Sequence, residues 1–290
     1  MRSPRTAPEC VQEQVDVGDI GGKTSWDSAL QSVDCVMHLA ARAHILGDDP
    51  HNSNLYMETN ARGTLRLAEA AAAAGVGRLV YLSSVKVNGE ATEASPFAPG
   101  DRPAPQDAYG VSKWHAEQSL QEVARRTGLG VAIVRPPLVY GPGVGANFLR
   151  LIRWVDRGWP LPFGRVRNSR SLISLWNLCD MLTGLPKNPQ AYGRTWMVCD
   201  GQDLSTPQLV RRIGTALRRP VRLLPVPVGL LRVAAATVGR SAEFARLCGS
   251  LTVNMTSTCS ALGWTPPVSV DEALARTAAW YVEKVRGVQE

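Results

Sequence analysis

The sequence predicts an α/β fold, a doubly wound parallel sheet followed by a smaller C-terminal lobe. Short apolar runs typical of buried strands occur at 15–17, 35–39, 79–82 and 131–134. Helical patterns lie between the later runs, at about 60–74 and 109–127. This alternation indicates βαβ units with parallel pairing and right-handed crossovers.

A change in composition near residue 142 predicts where the smaller lobe begins. Beyond it the periodicity weakens and Pro, Gly and Trp become frequent, as in the run from Arg157 to Gly164. Further helices are expected at about 206–217, 227–247 and 270–285. We therefore divide the chain into residues 1–142 and 143–290, and we expect some segments of the second part to return to the main sheet.

Composition and charge limit the class of protein. The chain has 290 residues, 44% of them hydrophobic, and a net charge of +7, which are values of a globular protein with a sizeable core. The arginines are scattered, without a basic block interleaved with aromatic residues, so no nucleic-acid partner is expected. A positive balance suits an anionic substrate or a loose attraction to anionic lipid.

Neither cysteine chemistry nor a membrane span is indicated by the sequence. The six cysteines contain no C-x-x-C pair, which predicts free thiols and no metal site. The first residues lack the apolar stretch of a signal peptide. The best candidate for a span, 226–238, is too short and contains Arg232. These features predict a cytoplasmic protein without an integral membrane segment.

The motif Tyr109-Gly-Val-Ser-Lys113 carries the chemical prediction. Its tyrosine and lysine are four residues apart, so their side chains share one face of the predicted helix. An ammonium close to a phenol favours the phenolate and lowers the tyrosine pKa from about 10. Such a tyrosine exchanges a proton with a carbonyl or carbinol oxygen near neutral pH. The spacing alone also fits a solvated helix face, so the context has to decide.

The run from Leu79 to Gly89 supplies that context. It is typical of a buried strand that ends in Ser83-Ser84 and a glycine turn, and ligands of open α/β sheets bind at the carboxyl ends of strands. Ser84 can therefore hydrogen-bond the same substrate oxygen as Tyr109. The alternative is that both serines merely cap the strand and the turn.

With these residues the chain resembles the extended short-chain dehydrogenase/reductase superfamily, in its NAD-dependent nucleotide-sugar epimerase/dehydratase branch. The resemblance implies a Rossmann-type doubly wound sheet in residues 1–142, where a dinucleotide binds, and a mainly substrate-binding lobe in residues 143–290. The matching motifs follow the family's order over nearly the whole chain. They are Asp19-Ile20, His38-Leu-Ala-Ala41, Asn60-Ala-Arg-Gly-Thr64, Ser83-Ser84, Tyr109-x-x-x-Lys113, Arg135-Pro-Pro-Leu-Val-Tyr-Gly-Pro142, Arg170-Ser-Leu-Ile173 and Leu262-Gly-Trp-Thr-Pro266.

Within this branch the chain is most similar to bacterial enzymes of surface-polysaccharide synthesis that epimerise or reduce C4 of UDP-linked N-acetylated hexoses. The similarity implies NAD(P)-dependent oxidoreduction at C4 in the synthesis of O-antigen or lipopolysaccharide precursors. It also implies NAD or NADP as cofactor, a UDP-sugar substrate and a homodimer. The residues leave open whether the enzyme is a 4-epimerase or a 4-ketoreductase. Steroid and flavonoid reductases of the superfamily share the catalytic residues and are a further alternative.

The resemblance also implies roles for individual residues. Tyr109 would transfer the proton of the C4 oxygen, and Ser84 would position that oxygen. Lys113 would hold the nicotinamide ribose and lower the pKa of Tyr109. Further contacts to the cofactor would come from Asp19, Ile20, Leu39, Ala40, Ala41 and Pro136.

Four more residues have an implied role or a structural alternative. Asn147 and Arg170 would hold the diphosphate, because an arginine fork suits two phosphate oxygens. A structural salt bridge is the alternative for Arg170. Asn60 is expected to brace a loop near the site, and His38 to be a hydrogen-bonded histidine at a strand end.

Departures from the family's pattern limit these roles. Val85-Lys86 stand where dehydratases have Asp-Glu, which argues against a 4,6-dehydratase, and Asn88 and Trp176 replace an aromatic and an acidic residue. The sequence lacks the first strands and the G-x-x-G-x-x-G turn for the pyrophosphate, so backbone groups of a neighbouring strand should be exposed. Either the start codon is assigned too late, or the chain is a truncated, catalytically inactive relative with only a nucleotide- or partner-binding role. Arg2 and Arg5 would favour the 2′-phosphate of NADP.

Overall fold

The computed structural model describes residues 11–43 and 50–287. Within these residues the main sheet has four parallel strands in the order β1-β2-β3-β6, and β4 and β5 form a small second parallel sheet. The strands are β1 (Cys35–His38), β2 (Arg78–Leu82), β3 (Gly130–Arg135), β4 (Leu138–Tyr140), β5 (Leu172–Ser174) and β6 (Arg194–Met197).

Ten α-helices occur in the described part of the chain. They are α1 (Pro50–Tyr56), α2 (Gly63–Ala73), α3 (Ala108–Thr127), α4 (Ala146–Asp156), α5 (Leu175–Gly184), α6 (Thr206–Leu217), α7 (Val228–Thr237), α8 (Ser241–Cys248), α9 (Thr256–Leu262) and α10 (Val270–Tyr281). Shorter π-helical or 3₁₀ turns lie at Met57–Arg62, Val85–Val87, Leu185–Lys187, Pro189–Ala191 and Val282–Arg286.

The central strands explain why both faces of the main sheet are covered. Leu79 and Tyr81 of β2 pack in a cluster with residues of α2 and α3, whereas Val80 packs in a cluster with residues of α5. Successive side chains of a strand point to opposite faces, so a strand that is apolar throughout must be buried on both. Helices therefore lie on each side of a parallel sheet, and the predicted α/β fold class is confirmed.

The strand expected at 15–17 is not formed. A strand needs a partner for its backbone hydrogen bonds, and β1 pairs only with β2 among the described residues. Val17 instead packs beside a small apolar cluster that contains Trp26. β1 is thus an edge of the described sheet, and the side chains of Met37 and Leu39 are 39% and 49% exposed.

The other predicted elements differ from the structure mainly where a glycine or a π-helical turn intervenes. The helical pattern at 60–74 forms as the turn Met57–Arg62 followed by α2. The single helix expected at 227–247 is divided into α7 and α8, because Gly239 adopts a left-handed φ of +68° between them. The pattern at 270–285 forms as α10 and the turn Val282–Arg286.

Candidate active site at the carboxyl end of the main sheet

The first turn of α3 brings Tyr109 beside Ser84. Asp107 caps this helix, since its Oδ1 accepts a hydrogen bond from the Gly110 N–H at 2.7 Å. Glycine fits at this position because a Cβ would lie 2.9 Å from the carbonyl oxygen of Lys86. Ser84 lies two residues beyond β2, and its hydroxyl is close enough to the Tyr109 phenol to favour the phenolate. The two residues expected to share a substrate oxygen are therefore in contact.

The pKa of Tyr109 changes in the direction opposite to the prediction. Burial, assisted by the nearby Asp107 carboxylate, raises it to about 12. The Lys113 ammonium lies one turn further along α3. It donates a hydrogen bond to the Leu82 carbonyl oxygen at 2.7 Å and lies 4.2 Å from the centre of the Tyr81 ring. The positive charge is thus directed at the end of β2 and not at the phenol, so the predicted lowering is wrong for this arrangement.

Burial also shifts the pKa of Lys113 itself. Desolvation of the ammonium lowers this pKa to about 7, although the Glu117 carboxylate opposes the change. Lys113 therefore gains or loses its proton near neutral pH. A lysine with this property next to a proton-transferring tyrosine is typical of a site for acid–base chemistry.

A buried charge network that the motifs do not reveal lies below the site. Glu117 accepts hydrogen bonds from Arg135 at 2.9 Å and 2.5 Å and from the Ser83 hydroxyl at 2.5 Å. Arg135 also donates to Asn88 at 3.0 Å, and the two charged side chains are at most 3% exposed. The network joins α3, the end of β3 and the turn that carries Ser84. Glu117 follows Lys113 by one helical turn, and this continued spacing was the available signal in the sequence.

Two residues near the site have the structural contacts expected of them. Asn60 accepts a hydrogen bond from the Arg42 N–H at 2.7 Å and donates to the Arg42 carbonyl at 3.0 Å and the Ser112 hydroxyl at 2.9 Å. A ring nitrogen of His38 lies 2.8 Å from the Thr64 hydroxyl. Burial lowers the pKa of His38 to about 4, so this ring is neutral at pH 7. Asn60 therefore ties the loop after β1 to α3.

Four residues expected at the cofactor lie in the loop after β1 and at the end of β3. Leu39, Ala40 and Ala41 expose apolar side chains directly beyond the end of β1. Pro136 is buried at the end of β3, where its carbonyl oxygen accepts a hydrogen bond from Val85 at 3.0 Å. These residues share the edge of the sheet with the Ser84–Tyr109 pair, so they fit the cofactor that the sequence implies.

Asp19 and Ile20 lie in a different environment. Asp19 has an exposed side chain, and its carbonyl oxygen accepts a hydrogen bond from the Thr24 hydroxyl at 2.8 Å. Ile20 packs beside the cluster around Trp26 and Leu67. The carboxylate of Asp19 therefore remains available to a ligand, as an adenine contact requires.

Arg170 is half-buried without a carboxylate partner among the described residues. Its backbone pairs with Leu204, and its Nη1 donates to the Gly249 carbonyl at 3.0 Å. Burial lowers the pKa of this guanidinium, and only the charge of Glu90 opposes the change. The described residues therefore do not provide the salt bridge that was the structural alternative for Arg170. A guanidinium with remaining donors suits an anionic ligand.

Asn147 is held separately from Arg170. Its Oδ1 accepts a hydrogen bond from Arg150 at 3.1 Å, and Arg150 is also paired with Glu243 at 3.2 Å. No hydrogen bond joins Asn147 to Arg170 within residues 11–43 and 50–287. The structure thus does not bring the two residues expected at the diphosphate into direct contact.

Lys86 places a cation where dehydratases carry a carboxylate. It is paired with Glu90 at 2.7 Å and with Asp107. Burial opposes the charge, but the hydrogen bonds that Lys86 donates to both carboxylates keep its pKa above the ordinary value. Trp176, the other notable departure, lies 5.2 Å from the Arg276 guanidinium, a cation–π contact.

The structure thus places a tyrosine beside a serine, with a lysine one turn further along the same helix, at the carboxyl end of the main sheet. The model of the NAD dependent epimerase/dehydratase family matches residues 2–189. A UDP-glucose 4-epimerase from Vibrio cholerae is 41% identical over 271 residues, which cover 92% of this chain and 83% of that protein. The chain therefore belongs to the NAD-dependent epimerase/dehydratase family, within the short-chain dehydrogenase/reductase superfamily.

Two further comparisons agree with this assignment. An N-acetyl-alpha-D-glucosaminyl-diphospho-ditrans,octacis-undecaprenol 4-epimerase from Escherichia coli O157:H7 is 29% identical over 227 residues, which cover 76% of this chain and 66% of that protein. The solved structure of MoeE5 in complex with UDP-glucuronic acid and NAD is 26% identical, with a TM-score of 0.71. The match covers 92% of this chain and 85% of that one. The Rossmann-type fold is thus confirmed.

Proposed function

We propose that the protein is an NAD(P)-dependent 4-epimerase of a UDP-linked hexose. The observation that carries the proposal is the placement of Ser84 beside Tyr109, which lies in the first turn of α3 with Lys113 one turn further along. The 41% identity to a UDP-glucose 4-epimerase supports the same reaction. The pair lies at the carboxyl end of the sheet, where ligands of this fold class bind.

Each residue of the pair has a role in moving the proton of the C4 oxygen. Ser84 holds that oxygen by a hydrogen bond, and Tyr109 takes its proton or returns it. With a pKa raised to about 12, Tyr109 is protonated at neutral pH and is ready to donate to a C4 carbonyl oxygen. The nicotinamide cofactor, when bound, supplies the acceptance and return of a hydride at C4. Lys113 would hold its ribose, and the other contacts would come from Asp19, Ile20, Leu39, Ala40, Ala41 and Pro136.

The substrate we propose is a UDP-linked, N-acetylated hexose used for O-antigen or lipopolysaccharide precursors. Arg170 supports a diphosphate, because its half-buried guanidinium has no carboxylate partner among the described residues. Asn147 would provide a second, separate contact. Lys86 is held as a cation by Asp107 and Glu90, so it does not provide the acid of a dehydratase.

The proposal is tested by product analysis with purified protein. NAD or NADP is added to UDP-glucose, UDP-galactose and their N-acetylated counterparts, and the sugars are resolved by NMR. We expect interconversion of C4 epimers without net consumption of cofactor. Net reduction of NAD or NADP, with a 4-keto sugar accumulating in equal amount, would instead identify a 4-ketoreductase running in reverse. If calorimetry shows that neither NAD nor NADP binds, the protein is better explained as an inactive relative.

Several expectations from the sequence stay predictions. They include the homodimer, the cytoplasmic location and the division into a dinucleotide-binding part, 1–142, and a mainly substrate-binding part, 143–290. β6 of the second part does lie in the main sheet, beside β3. The preference for NADP that Arg2 and Arg5 would give falls outside the described residues.

A further inference from the structure

Helix α7 turns an apolar face to solvent. None of its 10 residues is buried, and the side chains of Leu230 and Val233 are 63% and 61% exposed. Leu231 points the other way and packs against the cluster formed by α4, α6 and α10. Residues three apart lie on the same side of a helix, so Leu230 and Val233 form one outward surface. A single exposed hydrophobic residue is ordinary, whereas a contiguous group indicates a binding surface.

Exposed apolar residues also occur just before and just after α7 in the chain. Val238 follows the helix with 66% exposure, and Leu224, before it, is 47% exposed. The backbone of Leu224 is hydrogen-bonded to Leu161 at 2.8 Å, two residues from Trp159, which is 50% exposed. We define the α7 surface as Trp159, Leu224, Val228, Leu230, Val233 and Val238.

The segment that contains α7 carries only positive charge, and the first carboxylate after it, Glu243 of α8, is paired with Arg150 at 3.2 Å. Between residues 218 and 242 each charged residue is an arginine, and there are five of them. Arg219 is paired with Asp156 at 3.2 Å. The others are exposed and form no salt bridge within the described part of the chain; they are Arg218, Arg222, Arg232 and Arg240. The apolar face is therefore flanked by positive charge that the described residues do not neutralise.

We propose that the α7 surface binds an anionic lipid bilayer. A helix with outward apolar side chains and arginines beside them lies in the plane of the headgroups, with its apolar face at the acyl boundary. Arginine side chains are long enough to reach lipid phosphates from that position, and exposed tryptophan is favoured at the same depth. Such a helix lies on the membrane, and among the described residues no helix is long and apolar enough to cross one.

A second copy of the chain is a poorer occupant of this surface. A two-fold interface places the same patch of both copies face to face. Four unpaired arginines of each copy would then approach those of the other, without acidic residues from 218 to 242 to compensate. An anionic bilayer neutralises these charges, whereas a dimer would concentrate them.

Flotation of the full-length protein with vesicles tests the proposal. We expect binding to vesicles of phosphatidylcholine mixed with phosphatidylglycerol, little binding to phosphatidylcholine alone, and weaker binding as salt is added. Leu230→Glu and Val233→Glu should each reduce vesicle binding at least tenfold, because each variant places a charged carboxylate at the apolar boundary of the bilayer. Arg232→Gln should reduce it about fivefold, as expected for one cation near an anionic surface.

Two matched variants control for charge and for a new carboxylate elsewhere. Lys187→Gln removes one exposed cation far from α7, and Val11→Glu adds a carboxylate at a residue that is 43% exposed. Both should bind vesicles like the wild type. The proposal is overturned if the wild type does not float with anionic vesicles, or if the controls lose as much binding as the α7 variants. It is also overturned if Leu230→Glu only converts a dimer to a monomer in sedimentation.

The vesicle result is independent of the proposed catalysis. UDP-sugar turnover in lipid-free buffer should be the same for wild type, Leu230→Glu and Arg232→Gln, and circular dichroism checks that each variant is folded. An inactive protein that still floats would therefore contradict the epimerase proposal alone.

Discussion

Helices α3 and α7 depart from the usual burial pattern in opposite directions. α3 buries two charged residues, Lys113 and Glu117, whereas α7 exposes Leu230 and Val233 and buries none of its residues. A buried charge is costly unless it is paired, and an exposed apolar face favours a partner. The partners of α3 lie inside the chain, on β2 and β3. The outward side chains of α7 have no such partner among the described residues, and this difference underlies the two proposals, catalysis by residues of α3 and lipid binding by α7.

The largest expected difference between the two helices concerns turnover. Tyr109→Phe on α3 removes only the hydroxyl proposed to transfer the proton, and it should lower turnover by about 10²–10⁴-fold, the contribution of a positioned acid–base group. Calorimetry should find UDP-sugar affinity nearly unchanged. Val233→Glu on α7 is the control and should keep wild-type turnover in lipid-free buffer. Turnover of Tyr109→Phe comparable to that of the wild type would refute the mechanism.

The buried pair of α3 should dominate stability over an exposed pair of the same helix. Glu117→Leu leaves the Arg135 guanidinium buried without its carboxylate, and it should lower the free energy of unfolding by about 3–5 kcal/mol. Glu122→Leu removes exposed pairs with Arg125, at 2.8 Å, and Arg126, at 3.5 Å, and should leave stability nearly unchanged. Urea unfolding measures both. Combining Glu117→Leu with Arg135→Met should restore much of the loss, and equal effects of the two single variants would contradict the role of the network.

A smaller effect is expected for binding of the diphosphate. Arg170→Ala should weaken UDP affinity by about 1.5–3 kcal/mol, the range for a hydrogen bond to a charged group. Arg167→Ala, at an exposed arginine nearby, is the matched control and should bind UDP normally. Calorimetry gives both affinities. If the UDP affinity of Arg170→Ala equals that of the wild type, Arg170 has only a structural role.

The smallest expected effect is a pH dependence of stability that arises from Lys113. Its pKa is lowered to about 7 in the folded protein, against about 10.4 in an unfolded chain. Between these values the unfolded state binds more protons, so this group makes stability rise with pH, by about 1 kcal/mol per unit. Urea unfolding from pH ~7 to ~9 should show this rise in the wild type and not in Lys113→Met. A parallel pH profile in both proteins would contradict the shift.

The sequence predicted contacts better than it predicted electrostatics. Strands β2 and β3 follow from apolar runs, and the contact of Ser84 with Tyr109 follows from placing both at one edge of a parallel sheet. The predicted direction of the shift in the pKa of Tyr109 was wrong, because this shift depends on where the Lys113 ammonium points. That orientation is set by the Leu82 carbonyl and the Tyr81 ring, which spacing along a helix does not reveal.

Other misses have equally local causes. The strand at 15–17 needed a ladder partner, which a run of apolar residues cannot guarantee. The break between α7 and α8 depends on one left-handed glycine, Gly239. The pair Glu117–Arg135 joins residues 18 apart on different elements, so only the packed structure identifies it. The roles in catalysis and ligand binding stay predictions until they are measured.

One isotope experiment tests the central claim most directly. A UDP-hexose carrying deuterium at C4 is incubated with the protein and cofactor, and both C4 epimers are analysed by NMR and mass spectrometry. Hydride removal and return at C4, with proton transfer at the oxygen by Tyr109, predicts that deuterium remains at C4 in both epimers. Epimers that have lost deuterium to solvent, or no second epimer at all, would contradict the account.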